Sequence, residues 1–430
     1  MRSLGRLGVA VFNVDPNPWA PAFFSSYCRG RFLWDIEHRS ARESVEYLSR
    51  VAEKVGQPAV LIPTTDRTAV FVADHAEALR NWFLFPDQPA SLVRGLRSKK
   101  EMHALARHAE IPAPETIAPR SKAEVLAFLK TAAFPVMLKA VDGQRLWEKC
   151  RKKMFIVRSA EELLERYERL EDPSSPNLLL QEYIPGGDNT VWMFNGYFNE
   201  ASACVVGFTG KKIRQCPVYA GSTSLGICLW NEQVADLTRR FMKEIGYRGI
   251  LDIGFRYDAR DRLYKVLDVN PRIGATFRLF VGQNGIDVAR ALYLDLTGQV
   301  VPCAPAREGR KWIVEDLDLV SCYRYHHDGK LTLRAADAGE MRRRTRCPRL
   351  RALSSEADAM ASRQIVQFRH APSIRQETVE SRLFTQTLKH QQGCGRPAER
   401  GPALEVSGTP QELALHHWRG AEHGIEFREK

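Results

Sequence analysis

The chain has 430 residues, 44% hydrophobic and 27% charged, which is globular composition with length for two to four domains. No stretch approaches the roughly 20 apolar residues of a membrane span, and the opening MRSLGRLGVAVFNVDP lacks the apolar run of a secretory signal. The nine cysteines stand singly with no zinc-ligand spacing, which points to reduced thiols in cytoplasm, and the net charge of +12 suits anionic ligands as well as nucleic acid.

Up to about residue 95 strand and helix patterns alternate. GVAVFNVD reads as a buried strand. Ser40-Ala41-Arg42-Glu43 is a capping box opening a helix with Val45, Leu48 and Val51 on one face. Pro58 to Pro63 is a short apolar strand running into Thr64-Thr65-Asp66, so the segment is expected to be a Rossmann-like α/β domain. Such a domain opens with a strand, whereas Met1 falls on the first helix, Arg2 to Leu7; the pattern therefore predicts a strand upstream of Met1.

Residues 96–180 open with a capping box at Ser98, whose helix carries Met102, Leu105, Ala106 and Ala109 and stops before Ile111-Pro112. A box at Ser121 starts the next helix. The strand Phe134 to Ala140, a polar loop, the strand Met154 to Val157 and a helix capped by Ser159 follow. Residues 181–300 begin in the strand Leu178-Leu179-Leu180-Gln181-Glu182 and continue as alternating strands to about Leu229. A helix with Val234, Leu237, Phe241 and Ile245 inward leads to a hairpin from Gly249 to Asn270 and a last helix near Val288 to Leu296. Residues 301–335 read as an ordered extension around Trp312 to Val320. Residues 336–430 hold the run MRRRTRCPRLR without any nucleic-acid recognition signature, the pattern of a solvated basic tail rather than a nucleic-acid reader.

The hairpin carries the chemistry. Alternate strand residues share a face, so Asp268, Asn270 and Arg272 project together, with Asp252 on the preceding strand able to join them. Two carboxylates and an amide oxygen suit Mg²⁺, and the arginine suits a phosphate or developing oxyanion. A solvated polar face would use the same residues. Lys139 ends an apolar strand and Lys99 lies at a helix N-terminus, where cations and amide dipoles cradle a polyphosphate. Gln181 to Asp188 runs from a strand into a Pro-Gly-Gly turn, a shape for an adenine hinge with Asp188 accepting from a ribose. Lys211, Lys212 and Arg214 form a basic cluster for a γ-phosphate, or else a solvated loop.

Taken in order, Lys99, Phe134-Pro135-Val136-Met137-Leu138-Lys139, Gln181-Glu182-Tyr183-Ile184-Pro185-Gly186 and Leu267-Asp268-Val269-Asn270-Pro271-Arg272 resemble the ATP-grasp superfamily. Arg151-Lys152-Lys153-Met154-Phe155, Gly210-Lys211-Lys212-Ile213-Arg214-Gln215-Cys216-Pro217 and Gly246-Tyr247-Arg248-Gly249 bring it nearest the D-aspartate ligase and carboxylate–amine ligase group, over roughly residues 1 to 330. The resemblance implies an α/β (α+β) ATP-grasp fold behind a Rossmann-like domain, ATP with Mg²⁺ or Mn²⁺ as cofactors, and small-molecule carboxylate and amine substrates. It implies that Lys99 and Lys139 bind phosphates, Gln181, Glu182 and Ile184 line the adenine, and Asp188 holds the ribose. Asp268 and Asn270 would bind the metal, Arg272 would stabilise the transferred phosphoryl group, and Lys212 and Arg214 would contact the γ-phosphate or the acid. Relatives carry a metal ligand where this chain has Gly254, for which Asp252 is the substitute, and the loop after Lys139 has a single glycine, Gly143. Those departures motivate a rival, a nucleotide binder without turnover; carboxylation-type or carbamoyl-phosphate-type ATP-grasp chemistry is a second. The acid, the amine and the oligomeric state stay open.

Overall fold

The structure, a computed structural model, describes residues 1–331 except Gln57, Asp142, Lys153 and Ala220; the basic tail expected from residue 336 lies outside the described residues. The N-terminal part runs α1 (Arg2–Gly5), β1 (Val11–Asp15), β2 (Cys28–Leu33), α2 (Ala41–Val55), β3 (Ala59–Val60), α3 (Asp66–Asp74), α4 (Ala76–Leu79) and β4 (Phe83–Leu84). The Ser40 hydroxyl and the Glu43 carboxylate close the expected capping box on α2, and Gly56 ends the helix at φ 75°, where a side chain would be strained. The expected Rossmann-like sheet differs from what is observed. Among the described residues β1 pairs in parallel with β2, and β3 with β4, as two separate two-stranded sheets. Prolines at positions 58 and 63 flank β3; neither has an amide hydrogen to give a ladder, and the expected strand shrinks to Ala59–Val60.

Next come α5 (Ala90–Arg97), α6 (Lys99–His108), β5 (Thr116–Ile117), α7 (Lys122–Leu129), β6 (Val136–Ala140), α8 (Gly143–Cys150), β7 (Met154–Val157), α9 (Ala160–Leu170) and β8 (Leu178–Glu182). Their strands form an antiparallel sheet in the order β5-β8-β6-β7, packed on Val125, Leu138, Val157 and Leu163. Ser98, Ser121 and Ser159 cap their helices as expected, but Glu124 and Glu162 accept from the amides of Arg120 and Arg158, one residue outside each box. The polar loop expected after Ala140 is instead α8. Its amphipathic spacing buries Leu146 in the sheet core, and that burial drives the helix.

The rest is β9 (Val191–Phe198), β10 (Cys204–Cys216), β11 (Ser222–Cys228), α10 (Glu232–Glu244), β12 (Gly249–Asp258), β13 (Leu263–Asn270), α11 (Val288–Leu296), β14 (Lys311–Ile313) and α12 (Glu315–His327). It builds a six-stranded antiparallel sheet in the order β13-β12-β9-β10-β11-β14. On β12 the period-two rule sends Leu251, Ile253 and Phe255 into a core with Phe194, Phe241 and Met102. Asp252, Gly254 and Arg256 therefore face the other way. No helix among the described residues is long and apolar enough to cross a membrane.

Helix α12 is fastened to this sheet by charge. Arg214 donates from Nε and Nη2 to the two Asp318 oxygens at 2.8 and 2.7 Å, and Ser224 Oγ adds a bond of 2.9 Å. The two side chains are 11% and 5% exposed, so loss of either partner strands a buried charge. Asp318→Ala is expected to lower the unfolding free energy by roughly 3–5 kcal/mol in urea titrations, and the paired change Arg214→Met with Asp318→Leu to recover most of it.

Candidate active site

The β12–β13 register places Asp252 opposite Asn270 and Gly254 opposite Asp268, and Asn195 of β9 lies opposite Asp252. All of these positions share one face. The Asn270 amide donates to Asp252 at 3.4 Å and to Asp268 at 3.2 Å, and the Asn195 amide donates to Asp252 at 2.8 Å. Missing side chains make the space. A Cβ on Gly254 would sit 2.4 Å from Asp268 Oδ1, and one on Gly274 would sit 2.4 Å from Asp252 Cγ. Gly254 thus admits the Asp268 carboxylate, with Asp252 two residues along the same strand face.

Burial, then repulsion from Asp268, pushes the Asp252 carboxyl up to about 6. Burial acts on Asp268 in the same sense, but Lys99, Lys212, the Asn270 amide and Lys139 outweigh it and hold that carboxyl below the usual range. A buried carboxylate pair is costly without added positive charge, and two carboxylates with an amide make a hard oxygen donor set. Among the described residues no cluster of three or more His, Cys, Asp or Glu forms a metal site. Two carboxylates with an amide oxygen are a donor set that fits Mg²⁺, which draws its remaining oxygens from phosphates and water.

The cations converge from both large sheets. Lys139 on β6 donates to Gln181 Oε1 at 2.5 Å; burial and then the neighbouring Lys99 pull its ammonium down to about 8. Lys212 on β10 donates to the Gly221 carbonyl at 3.1 Å, and burial lowers it against the attraction of Asp268, Asp252 and Asp188. Arg272 follows the hairpin; its Nε donates to Asp66 at 2.7 Å, and its Nη1 lies 3.9 Å from Asp252. The structure thus groups Lys99, Lys139, Lys212, Arg272, Asp252, Asp268 and Asn270.

Other expected residues are engaged elsewhere. Gln181 is buried, and its amide is consumed by Lys139, by Thr116 at 2.9 Å and by His103 at 3.0 Å. It holds a lysine instead of presenting its side chain to adenine. Glu182 pairs with Lys265 at 3.3 Å and with Arg260, and Ile184 is buried. Asp188 accepts from Gln215 at 2.6 Å and bonds the Tyr325 phenol. Arg214 is engaged by a different partner: the ladder slips between Lys212 and Arg214, and the guanidinium pairs with Asp318 of α12.

Sequence reasoning missed His103, Arg256, Asn195 and Asp66. His103 is one helical turn after Lys99 on α6; burial, then Lys139, Lys99 and Arg107, take it down to about 4, so the imidazole is neutral. Arg256 continues the Asp252–Gly254 alternation, stacks over Tyr183 at 5.8 Å and donates to the Gly186 carbonyl. Period-two counting from Asp252 would have found it. Nothing in the sequence links Asn195 or Asp66 to the hairpin.

No family model matches the chain. The chain is 27% identical over 240 residues to D-aspartate ligase of Enterococcus faecium, covering 54% of this chain and 57% of that protein, so it spans little more than half the length of that relative. Its fold is similar to that of an L-amino acid ligase from Bacillus licheniformis (TM-score 0.50, 14% identity, 68% of this chain and 69% of that one). It is also similar to N5-carboxyaminoimidazole synthetase from Staphylococcus aureus complexed with ADP (TM-score 0.55, 12% identity, 76% and 82%). The fold is the ATP-grasp fold.

Gly254→Ala is expected to displace the Asp268 carboxylate and weaken Mn²⁺ binding, read by electron paramagnetic resonance, about tenfold or more. Circular dichroism should show a native spectrum, because the clash falls on a side-chain terminus and not on backbone.

Proposed function

We propose that this chain is an ATP-dependent, ADP-forming ligase that joins a carboxylate to an amine through an acyl phosphate. The observation that carries the proposal is the buried face of Asp252, Asn270 and Asp268 ringed by Lys99, Lys139, Lys212 and Arg272. The likeness to D-aspartate ligase and to an L-amino acid ligase supports an amino acid among the substrates.

In the first step a carboxylate oxygen attacks the γ-phosphorus, the bridging P–O bond breaks, and ADP leaves with an acyl phosphate formed. An amine nitrogen then attacks the acyl carbon, phosphate departs and a proton is lost to solvent. The barrier to the first step is repulsion between anions, so the protein works by positioning and electrostatics without a nucleophile of its own. Lys99 and Lys139 hold the ATP phosphates, Lys212 meets the γ-phosphate, and Arg272 faces the transferred group and the acid, anchored by Asp66. Asp252, Asp268 and Asn270 hold Mg²⁺ or Mn²⁺, which supplies neutralisation of the phosphate charge. Adenine and ribose lie along the segment from Glu182 and Ile184 to Asp188, with Arg256 beside it. Gly254 was one motive for a binding-only protein; its role in admitting Asp268 supports the ligase reading.

The test is phosphate release from ATP and Mg²⁺ across amino acids, singly and in pairs. Release that requires a particular acid and is lost in Asp268→Asn is expected; ATP binding with no release across the panel would leave a nucleotide binder. A second test uses pH. With Lys139 at about 8 in the free protein, a bound polyphosphate raises its pKa, so binding takes up a proton above pH 8 and affinity falls as pH rises through that value. Calorimetry with ADP between pH 7 and 9.5 should show that fall, at most about tenfold per unit. It should flatten in Lys139→Arg, which stays charged.

A further inference from the structure

A cavity of about 60 Å³ lies against the back of Arg272, between α3, α5, α11 and the start of β12. Its walls are mostly apolar, with Leu61, Ile62, Val72, Phe85, Ile250 and Leu292 among them, and Pro271, Arg272 and Ile273 close one side. Gln88, Arg248 and Arg272 interrupt this apolar lining. Both amide atoms of Gln88 and the Nε of Arg248 are buried and have no hydrogen-bond partner, although Arg248 Nη1 reaches the Asp87 carbonyl at 3.3 Å. Each such atom is costly to bury unless something satisfies it.

The occupant can be narrowed by chemistry. The space exceeds the roughly 10–15 Å³ that one water centre requires. Waters would satisfy Gln88 and Arg248 but wet the leucine, isoleucine and valine walls. A plain hydrocarbon would satisfy the walls and leave the polar atoms bare. A branched aliphatic amino acid answers both, since its carboxylate oxygens accept from Gln88 Nε2 and Arg248 Nε and its ammonium donates to Gln88 Oε1. The geometry points to a binding pocket for a small aliphatic carboxylate, such as an amino acid with a branched apolar side chain, between α3 and β12 behind Arg272. This rests on the ligase reading in one respect: the occupant is one of that ligase's two substrates, because Pro271 and Arg272, which close one side of the pocket, follow directly on Asn270.

Two variants test the pocket without touching the phosphate or metal residues. Gln88→Leu removes the amide at similar volume, and Ala73→Leu fills the cavity from α3. Calorimetry on the full chain with MgADP present, titrating leucine, valine, 4-methylpentanoate and aspartate in turn, should show aliphatic binding that weakens about tenfold or more in each variant. MgADP affinity should stay within about twofold, which certifies that the variants fold. Equal aliphatic affinity in wild type and both variants, binding of aspartate alone, or no heat from any aliphatic acid overturns the pocket. Phosphate release separates this from the function. Release that the variants do not affect would sink the pocket and leave the ligase standing; variant-sensitive binding with no release from any acid would sink the ligase and leave the pocket.

Discussion

Two carboxylates held on the buried face of one sheet set the terms for the site. Asp252 and Asp268 repel each other in a low-dielectric setting, and the surroundings are arranged to contain that repulsion. Glycines at 254 and 274 give the carboxylates room, and the Asn195 and Asn270 amides donate to them. Lys99, Lys139, Lys212 and Arg272 supply the compensating field. Lys139 and Lys212 in turn are buried and pulled down, so carboxylates and ammoniums need each other to remain charged. An arrangement of that kind takes a polyphosphate with its cation at little reorganisation, which is the condition for electrostatic catalysis.

The field depends on two sheets being tied together, and side chains expected to touch ligand do much of the tying. Gln181 sits on β8 and fixes Lys139 on β6, with His103 and Thr116 completing its bonds. Glu182 at the end of β8 meets Lys265 of β13 and Arg260, whose guanidinium holds the Asp258 carboxyl well below its usual range. Arg214 and Asp318 fix α12 against β10, and Tyr325 of the same helix reaches Asp188. These contacts join residues 42 to 104 apart in the chain, and Asp188 to Tyr325 further still, so the site is a product of packing more than of any one segment.

The sequence by itself determined the strands and helices of the two large sheets, because period-two and period-3.6 burial is written locally: Leu251, Ile253 and Phe255 inward leave Asp252 and Gly254 outward whatever they meet. It determined Lys139 at a strand end, the Asp268–Asn270–Arg272 set and Asp252 as its partner, since alternate residues on paired strands must share a face. Tertiary structure alone decided where the long side chains went. Arg214 looked equivalent to Lys212 until the ladder slipped between them and a helix a hundred residues on offered Asp318; Gln181 looked free until it met Lys139 and His103. It also decided that the polar run after Ala140 coils and that the N-terminal strands pair two by two. The physical reason is the same in each case: backbone alternation is fixed within a few residues, whereas the partner of a flexible charged or amide group is fixed by whatever distant surface folding brings within 3 Å of it.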